Sequence, residues 1–391
     1  MKKKLCIFLC LCTIFLLFLQ RLLMPKYMET NREGALIGEY YANAGGNDVI
    51  FIGDCEVYEN FSPITLWEKY GITSYIRGSA QQTIWQSYYL MEETFRYETP
   101  QVMVFNVLAM KYDTPESTGS QSQREAYNRM TLDTMRWSSS KWNAIAESMT
   151  REEQEWESMF SYLFPLLRYH DRWSELTGED FRYFLKKEQV SDNGYLMQTG
   201  IAPVADAHAQ PPLADYSFGD NSWHYLEKMA ALCQAHGTQL VLIKAPSLYP
   251  VWWPEWEEQI ENFATDHNLI YINMLEYQDE IGIDWSTDTY DTGLHLNVYG
   301  AEKAASWLGS ILAQQCGVPD RRSDETIRAC WAEKVKIYDL RKEKLESSRS
   351  ERNGINENTH LFCDVSAYHL SYRLRLRRAC RKRKTLRIYI Q

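Results

Sequence analysis

The feature that most constrains this chain is a short apolar run that ends abruptly. Val49-Ile50-Phe51-Ile52 stops at Gly53-Asp54, and Cys55-Glu56 follow at once. An unbroken β-branched run suits a strand covered on both faces. The Gly-Asp stop suits a sharp turn from strand into helix, which lifts one side chain above the carboxyl edge of a sheet. Four further runs have the same character: Ile72–Ile76, Val102–Val107, Leu240–Ile243 and Leu269–Ile272. Between or after them, Gln82–Tyr97, Trp223–His236, Trp256–His267 and Val298–Gln315 carry apolar residues at helical spacing. This alternation predicts an α/β domain, with helices in a three-layer α/β/α sandwich around a central parallel sheet.

The alternation breaks over about 110–217. A polar loop, Asp113–Arg124, leads into helical, aromatic-rich sequence around Trp137, Trp142, Trp156, Phe160 and Trp173, and Pro211-Pro212 returns the chain to the sheet. The stretch is expected to be a mostly helical insertion forming one wall of a cleft. Residues 29–320 are therefore taken as one α/β domain. A charged helix is expected over 321–347, docked through Trp331 and Tyr338, and a basic, disordered tail over 348–391.

At the other end, Lys2-Lys3-Lys4 precedes the apolar run Leu5 to Leu19. Residues 1–28 read as an uncleaved signal anchor, since no small-x-small cleavage site follows, and the flanking lysines put the N-terminus in the cytoplasm. The rest of the chain is then extracytoplasmic. A net charge of -10 disfavours nucleic acid as a partner. The nine cysteines show no CxxC and no metal-ligand spacing, so no metal or other cofactor is expected; a Cys316–Cys330 disulfide is left open.

Late in the chain, Asp291-Thr292-Gly293-Leu294-His295-Leu296-Asn297 offers a base and an acid to orient it, which is what a nucleophile at position 55 would need. Together, Gly53-Asp54-Cys55 after the first strand, Gly78 after the second, and Asp291 with His295 resemble the SGNH/GDSL hydrolase superfamily and its flavodoxin-like fold. In particular they resemble its membrane-anchored, extracytoplasmic members in Gram-positive bacteria, which are similar in outline to alginate O-acetylation and teichoic-acid D-alanylation factors. The resemblance covers roughly residues 48–315. It implies that Cys55 stands where the family has its nucleophilic serine, His295 is the general base and Asp291 orients it. Cys55, Gly78 and Asn106 would then form the oxyanion hole. Two departures stand out. The family spaces its Asp three residues before the His and here the spacing is four, which leaves Asp288 as a fallback; the Gly-x-Asn-Asp setting of Asn106 is also missing.

The implied function is an esterase or O-acyltransferase acting on acyl esters of a cell-surface glycan or polymer. The alternative is a non-catalytic, membrane-anchored glycan-binding or assembly protein on the same fold, with Cys55 marking lost activity. Placed at a helix start and facing His295, Cys55 is expected to have a lowered pKa. A small buried filler is the competing reading of Cys55, a sheet-edge cap that of His295, and core packing that of His170. Trp252, Trp253 and Trp256 are either a sugar platform or a packed lid. A nucleotide binder is disfavoured because no Gly-rich phosphate loop follows any strand.

Overall fold

The computed structural model describes residues 2–111, 121–151, 156–185, 188–204 and 210–358. Its elements run in the order α1 (Lys2–Leu23), a short α2 (Leu36–Glu39), β1 (Val49–Gly53), α3 (Cys55–Asn60), α4 (Pro63–Tyr70), β2 (Ser74–Gly78), α5 (Ile84–Thr94) and β3 (Val102–Asn106). Helices α6 (Gln121–Leu132), α7 (Ser139–Arg151), α8 (Trp156–Leu163), α9 (Leu166–Tyr169) and α10 (Gly178–Leu185) follow. The chain then forms α11 (Asp220–His236), β4 (Gln239–Lys244), α12 (Pro254–Asp266), β5 (Ile270–Asn273), α13 (Gln278–Ile281), α14 (Val298–Gln314) and α15 (Glu325–Asn358). The fold is α/β, and the apolar N-terminal stretch is one helix, long and apolar enough to cross a membrane.

The five strands pair in the order β2-β1-β3-β4-β5, every pair parallel. Registers such as Gly53↔Gly78 and Asn106↔Ile243 bring the carboxyl ends of β1, β2, β3 and β4 to one edge. β1 has β2 on one side and β3 on the other, so the chain reverses direction of travel across the sheet beside β1. Crevices at such reversals, outside the carboxyl ends of strands, are where α/β sheets bind ligands. Strands β1, β2 and β3 are buried throughout, which explains why β1 and β3 read as apolar runs.

Alternate strand residues Ile50, Ile52, Met103, Phe105, Leu240 and Leu242 share a core with side chains of α5, α7, α11 and α12. Phe51, which points the other way along β1, stacks on Phe61 just after α3, with ring centroids 5.4 Å apart. α14 packs against α3 and α4. Two compact units divide the chain, residues 1–342 and 343–391. In the first, Trp331 stacks on Trp67 at 5.1 Å and Tyr338 donates to Glu302 at 2.8 Å, so both residues expected to dock the charged helix are buried. In the second, residues 343–358 are helical; the part of the expected tail over 348–358 is thus helix, and 359–391 lie outside the described residues.

β2 runs two residues past the predicted end of its apolar run and takes in Arg77, which is fully buried. A buried guanidinium is tolerated only when paired and hydrogen-bonded. Arg77 Nη2 meets Glu93 Oε2 at 2.6 Å, Nη1 donates to Leu90 O and Thr94 Oγ1, and the guanidinium lies 4.0 Å over the Tyr40 ring. Arg77→Met leaves the buried Glu93 carboxylate with hydroxyl partners only, Tyr41 OH at 2.7 Å and Ser138 Oγ at 3.5 Å, and is expected to destabilise the fold by about 3–5 kcal/mol. Urea unfolding checks this, with Arg77→Met/Glu93→Leu recovering most of the loss. A single substitution as mild as a surface change would contradict it.

Candidate active site

The turn from β1 into α3 is built from Gly53, Asp54 and Cys55. A Cβ on Gly53 would run into Val57 Cγ2, so only glycine lets the helix fold back this tightly. Gly78 meets the same need from β2, where a Cβ would sit 3.0 Å from Tyr58 Cδ1 and 3.2 Å from Gly53 O. Asp54 caps α3: its Oδ1 accepts from the Glu56 amide at 3.2 Å. Cys55, the first residue of the helix, keeps partial exposure while the residues beside it are buried.

Below the thiol lies a buried polar cluster. The Glu56 carboxylate takes two bonds from Lys244 Nζ, both 3.0 Å, and one from Asn106 Nδ2 at 2.9 Å. Lys244 also donates to Ala245 O at 2.7 Å, and Asn106 Oδ1 accepts from the Ala245 amide at 3.1 Å. Asn106 Nδ2 lies a further 3.3 Å from Asp54 Oδ1. The Asn106 amide is thus committed to the Asp54 and Glu56 carboxylates and braces the ends of β1, β3 and β4; the oxyanion role expected of it has no donor left over in this arrangement. Asp54 Oδ2 is buried with no partner, and burial, reinforced by Glu56, pushes its carboxyl up to about 6. Burial likewise lowers Lys111, at the end of the turn after β3, to about 8 against the pull of Asp54, Glu56 and Cys55.

His295 reaches Cys55 from a distant segment of the chain. Asp291 holds it twice: Oδ1 accepts from the His295 amide at 2.8 Å and Oδ2 from Nδ1 at 2.7 Å. Thr292 and Gly293 have φ of 62° and 95°, a left-handed pair that absorbs the fourth residue of the spacing. Asp288, the fallback, is bound instead to Lys303 at 2.6 Å and the Asp284 amide at 2.8 Å. The loop is tied down by Thr289 Oγ1, which donates to His295 O at 2.8 Å, and by Asn60, whose Oδ1 accepts from the Leu296 amide at 2.8 Å. Asn297 then caps α14.

Glu59 was not foreseen. It sits four residues after Cys55 on α3, hence on the same helix face, and its Oε2 lies 3.1 Å from His295 Nδ1 while accepting from Tyr290 OH at 2.6 Å. With carboxylates on either side, Nδ1 carries the hydrogen. Nε2 is buried without a close hydrogen-bond partner, and it is the ring nitrogen left to face Cys55, the thiol that acts on this imidazole. Burial alone would lower the His295 pKa, but Glu59, Cys55 and Asp291 together hold it well above the usual value.

The expected activated thiolate is corrected here. Burial pushes the Cys55 thiol up to about 11, with Asp54 and Glu59 adding to the rise and only His295 opposing it. A helix start and a histidine are outweighed by desolvation and by the carboxylates around them. Cys316 and Cys330 are both free thiols, so the disulfide left open is not formed. His170 is exposed, its Nδ1 3.0 Å from Leu167 O, and it takes no part in the cluster around Cys55. Trp256 is core, and Trp252 and Trp253 pack against that core with Phe218 and Tyr216; the packed-lid reading fits them better than a sugar platform. Among the described residues no group of His, Cys, Asp and Glu is placed to hold a metal ion.

No protein-family model, curated protein or solved structure matches this chain.

The charge pattern fixes how the thiol should titrate. Alkylation of Cys55 by iodoacetamide, followed by peptide mapping, is expected to rise with a midpoint near 11. His295→Asn removes the one group that lowers this pKa and moves the midpoint up. Glu59→Gln removes a negative neighbour and moves it down. A midpoint at the ordinary thiol value of about 8.5 would contradict this account of the site.

Proposed function

We propose that this chain is a membrane-anchored, extracytoplasmic esterase or O-acyltransferase of SGNH/GDSL type, acting on acyl esters of a cell-surface glycan or polymer. The observation that carries the reading is the His295 imidazole, held through Nδ1 by Asp291 and leaving a buried Nε2 to face Cys55. Nucleophile, base and orienting acid come from distant segments of the chain and meet at the carboxyl edge of the sheet. The strand order β2-β1-β3-β4-β5, with helices against β1 and β4 and apolar strands, supports a flavodoxin-like three-layer sandwich. The apolar helix α1, with Lys2 to Lys4 before it, supports an anchor whose cytoplasmic end is the N-terminus.

In this mechanism the Cys55 thiol gives its proton to His295 Nε2 as sulfur bonds to the ester carbonyl carbon. The C–O bond breaks, and the alcohol leaves with the proton from His295. A glycan hydroxyl or water then attacks the thioester carbonyl carbon and gives its proton to His295; the C–S bond breaks, and sulfur leaves with that proton from His295. The step begins only with His295 neutral. Both the thiol and the imidazole are held above their ordinary values, so the reactive pair is favoured as pH rises. Activity is therefore expected to rise on the alkaline side.

The raised thiol is also the observation that favours a second reading, a non-catalytic module that holds a glycan or acyl carrier at the same site. Release of p-nitrophenol from p-nitrophenyl acetate separates the two. The catalytic reading expects turnover that increases with pH, falls to background in Cys55→Ala and His295→Ala, and shows its alkaline limb at lower pH in Glu59→Gln, where a negative charge no longer supports the imidazolium. Equal rates in wild type and Cys55→Ala would leave the binding module.

A further inference from the structure

Not all of α1 is free to lie in a bilayer. Its last residues, Leu22 and Leu23, are buried in the body, and Arg172 Nη1 donates to Leu23 O at 2.8 Å. The freely exposed apolar part runs from Leu5 to Phe18, about 21 Å of helix at ~1.5 Å per residue. The hydrocarbon core of a bilayer is roughly 30 Å thick. The base of the body must then sit close against the bilayer, or the bilayer must thin to meet it.

Beside the point where α1 enters the body, the insertion exposes large apolar side chains. Phe184 of α10 lies 5.5 Å from Phe18 of α1, and Arg21 sits over the Tyr183 ring at 5.5 Å. α9, α10 and the 3₁₀ turn between them (His170–Glu175) all touch α1. On these same elements Trp173 is 71% exposed, Leu167 59% and Phe181 55%, with Phe164 just ahead of α9 at 57%. Single exposed apolar residues need no explanation; several around the base of one apolar helix do. Amphipathic segments with aromatic residues lie in the headgroup region with their apolar side sunk about 5–10 Å, which matches the shortfall of α1.

We propose that residues 164–184 form an interfacial foot, a second contact with the lipid bilayer that α1 spans. The foot presses the base of the body into the headgroup layer, shortens the gap that α1 must cross and restrains the tilt of the α/β domain over the surface. The inference rests on α1 being a membrane anchor and is independent of the acyl chemistry.

The full chain is reconstituted in phosphatidylcholine vesicles brominated at shallow acyl positions, and tryptophan emission is compared between wild type and Trp173→Phe. The foot predicts a bromine-quenched component that Trp173→Phe removes. It also predicts that Leu167→Asp/Phe181→Asp, changed only at exposed positions, loses this component and still floats with the vesicles through α1. Identical quenching in wild type and Trp173→Phe, with both floating, overturns the foot and leaves the anchor. Failure of the wild-type chain to float overturns both.

Discussion

The arrangement of the candidate site depends on one buried charge pair, Glu56 with Lys244. Glu56 is the second residue of α3 and Lys244 the last of β4, so their bonds tie the helix that carries Cys55 to a strand two places away. Such a pair is tolerated because its valences are filled, by Asn106 on one side and Ala245 O on the other. Asn106 belongs to the intervening strand β3, and its carbonyl oxygen accepts from the Ala245 amide just after β4. The clamp therefore sets the direction of α3. With that direction fixed, Glu59 and Asn60 at its far end meet the His295 loop, and segments more than 230 residues apart in sequence are brought to one point.

Clustering has an electrostatic consequence. Asp54, Glu59 and Asp291 surround Cys55 and His295, with Lys111 nearby, in a neighbourhood with little water. Carboxylates on Nδ1 support an imidazolium, while burial resists a thiolate. Burial therefore favours the thiol form of Cys55. A substrate that displaces water or carries a cation near Glu59 would shift that balance.

The sheet was legible because its strands are buried on both faces and so read as apolar runs; β1 and β3 differ from expectation by one residue. β2 was displaced because Arg77 looks like a strand end until Glu93 supplies its partner from α5. Cys55, Asp291 and His295 could be picked out because strand-turn-helix and Asp-x-x-x-His are local patterns. Their meeting is tertiary, and so is the role of Glu59, for which the only local sign was its spacing of four from Cys55. Asp288 and Asp291 could not be told apart by counting, because the left-handed backbone at Thr292 and Gly293 decides which carboxylate faces the ring. Proton affinities were the least legible of all: the helix start and histidine are visible in sequence, whereas the burial that overrides them is a property of the packed fold.

The central claim is that Cys55 becomes acylated with His295 as its proton carrier. Its most direct measurement is the intact mass of the full chain after a brief exposure to an activated acyl ester at mildly alkaline pH, with peptide mapping and hydroxylamine treatment. The account predicts a single acyl group, mapped to Cys55, released by hydroxylamine and absent in His295→Ala. A wild-type chain that gains no mass at Cys55, or one that is acylated equally without His295, would contradict it.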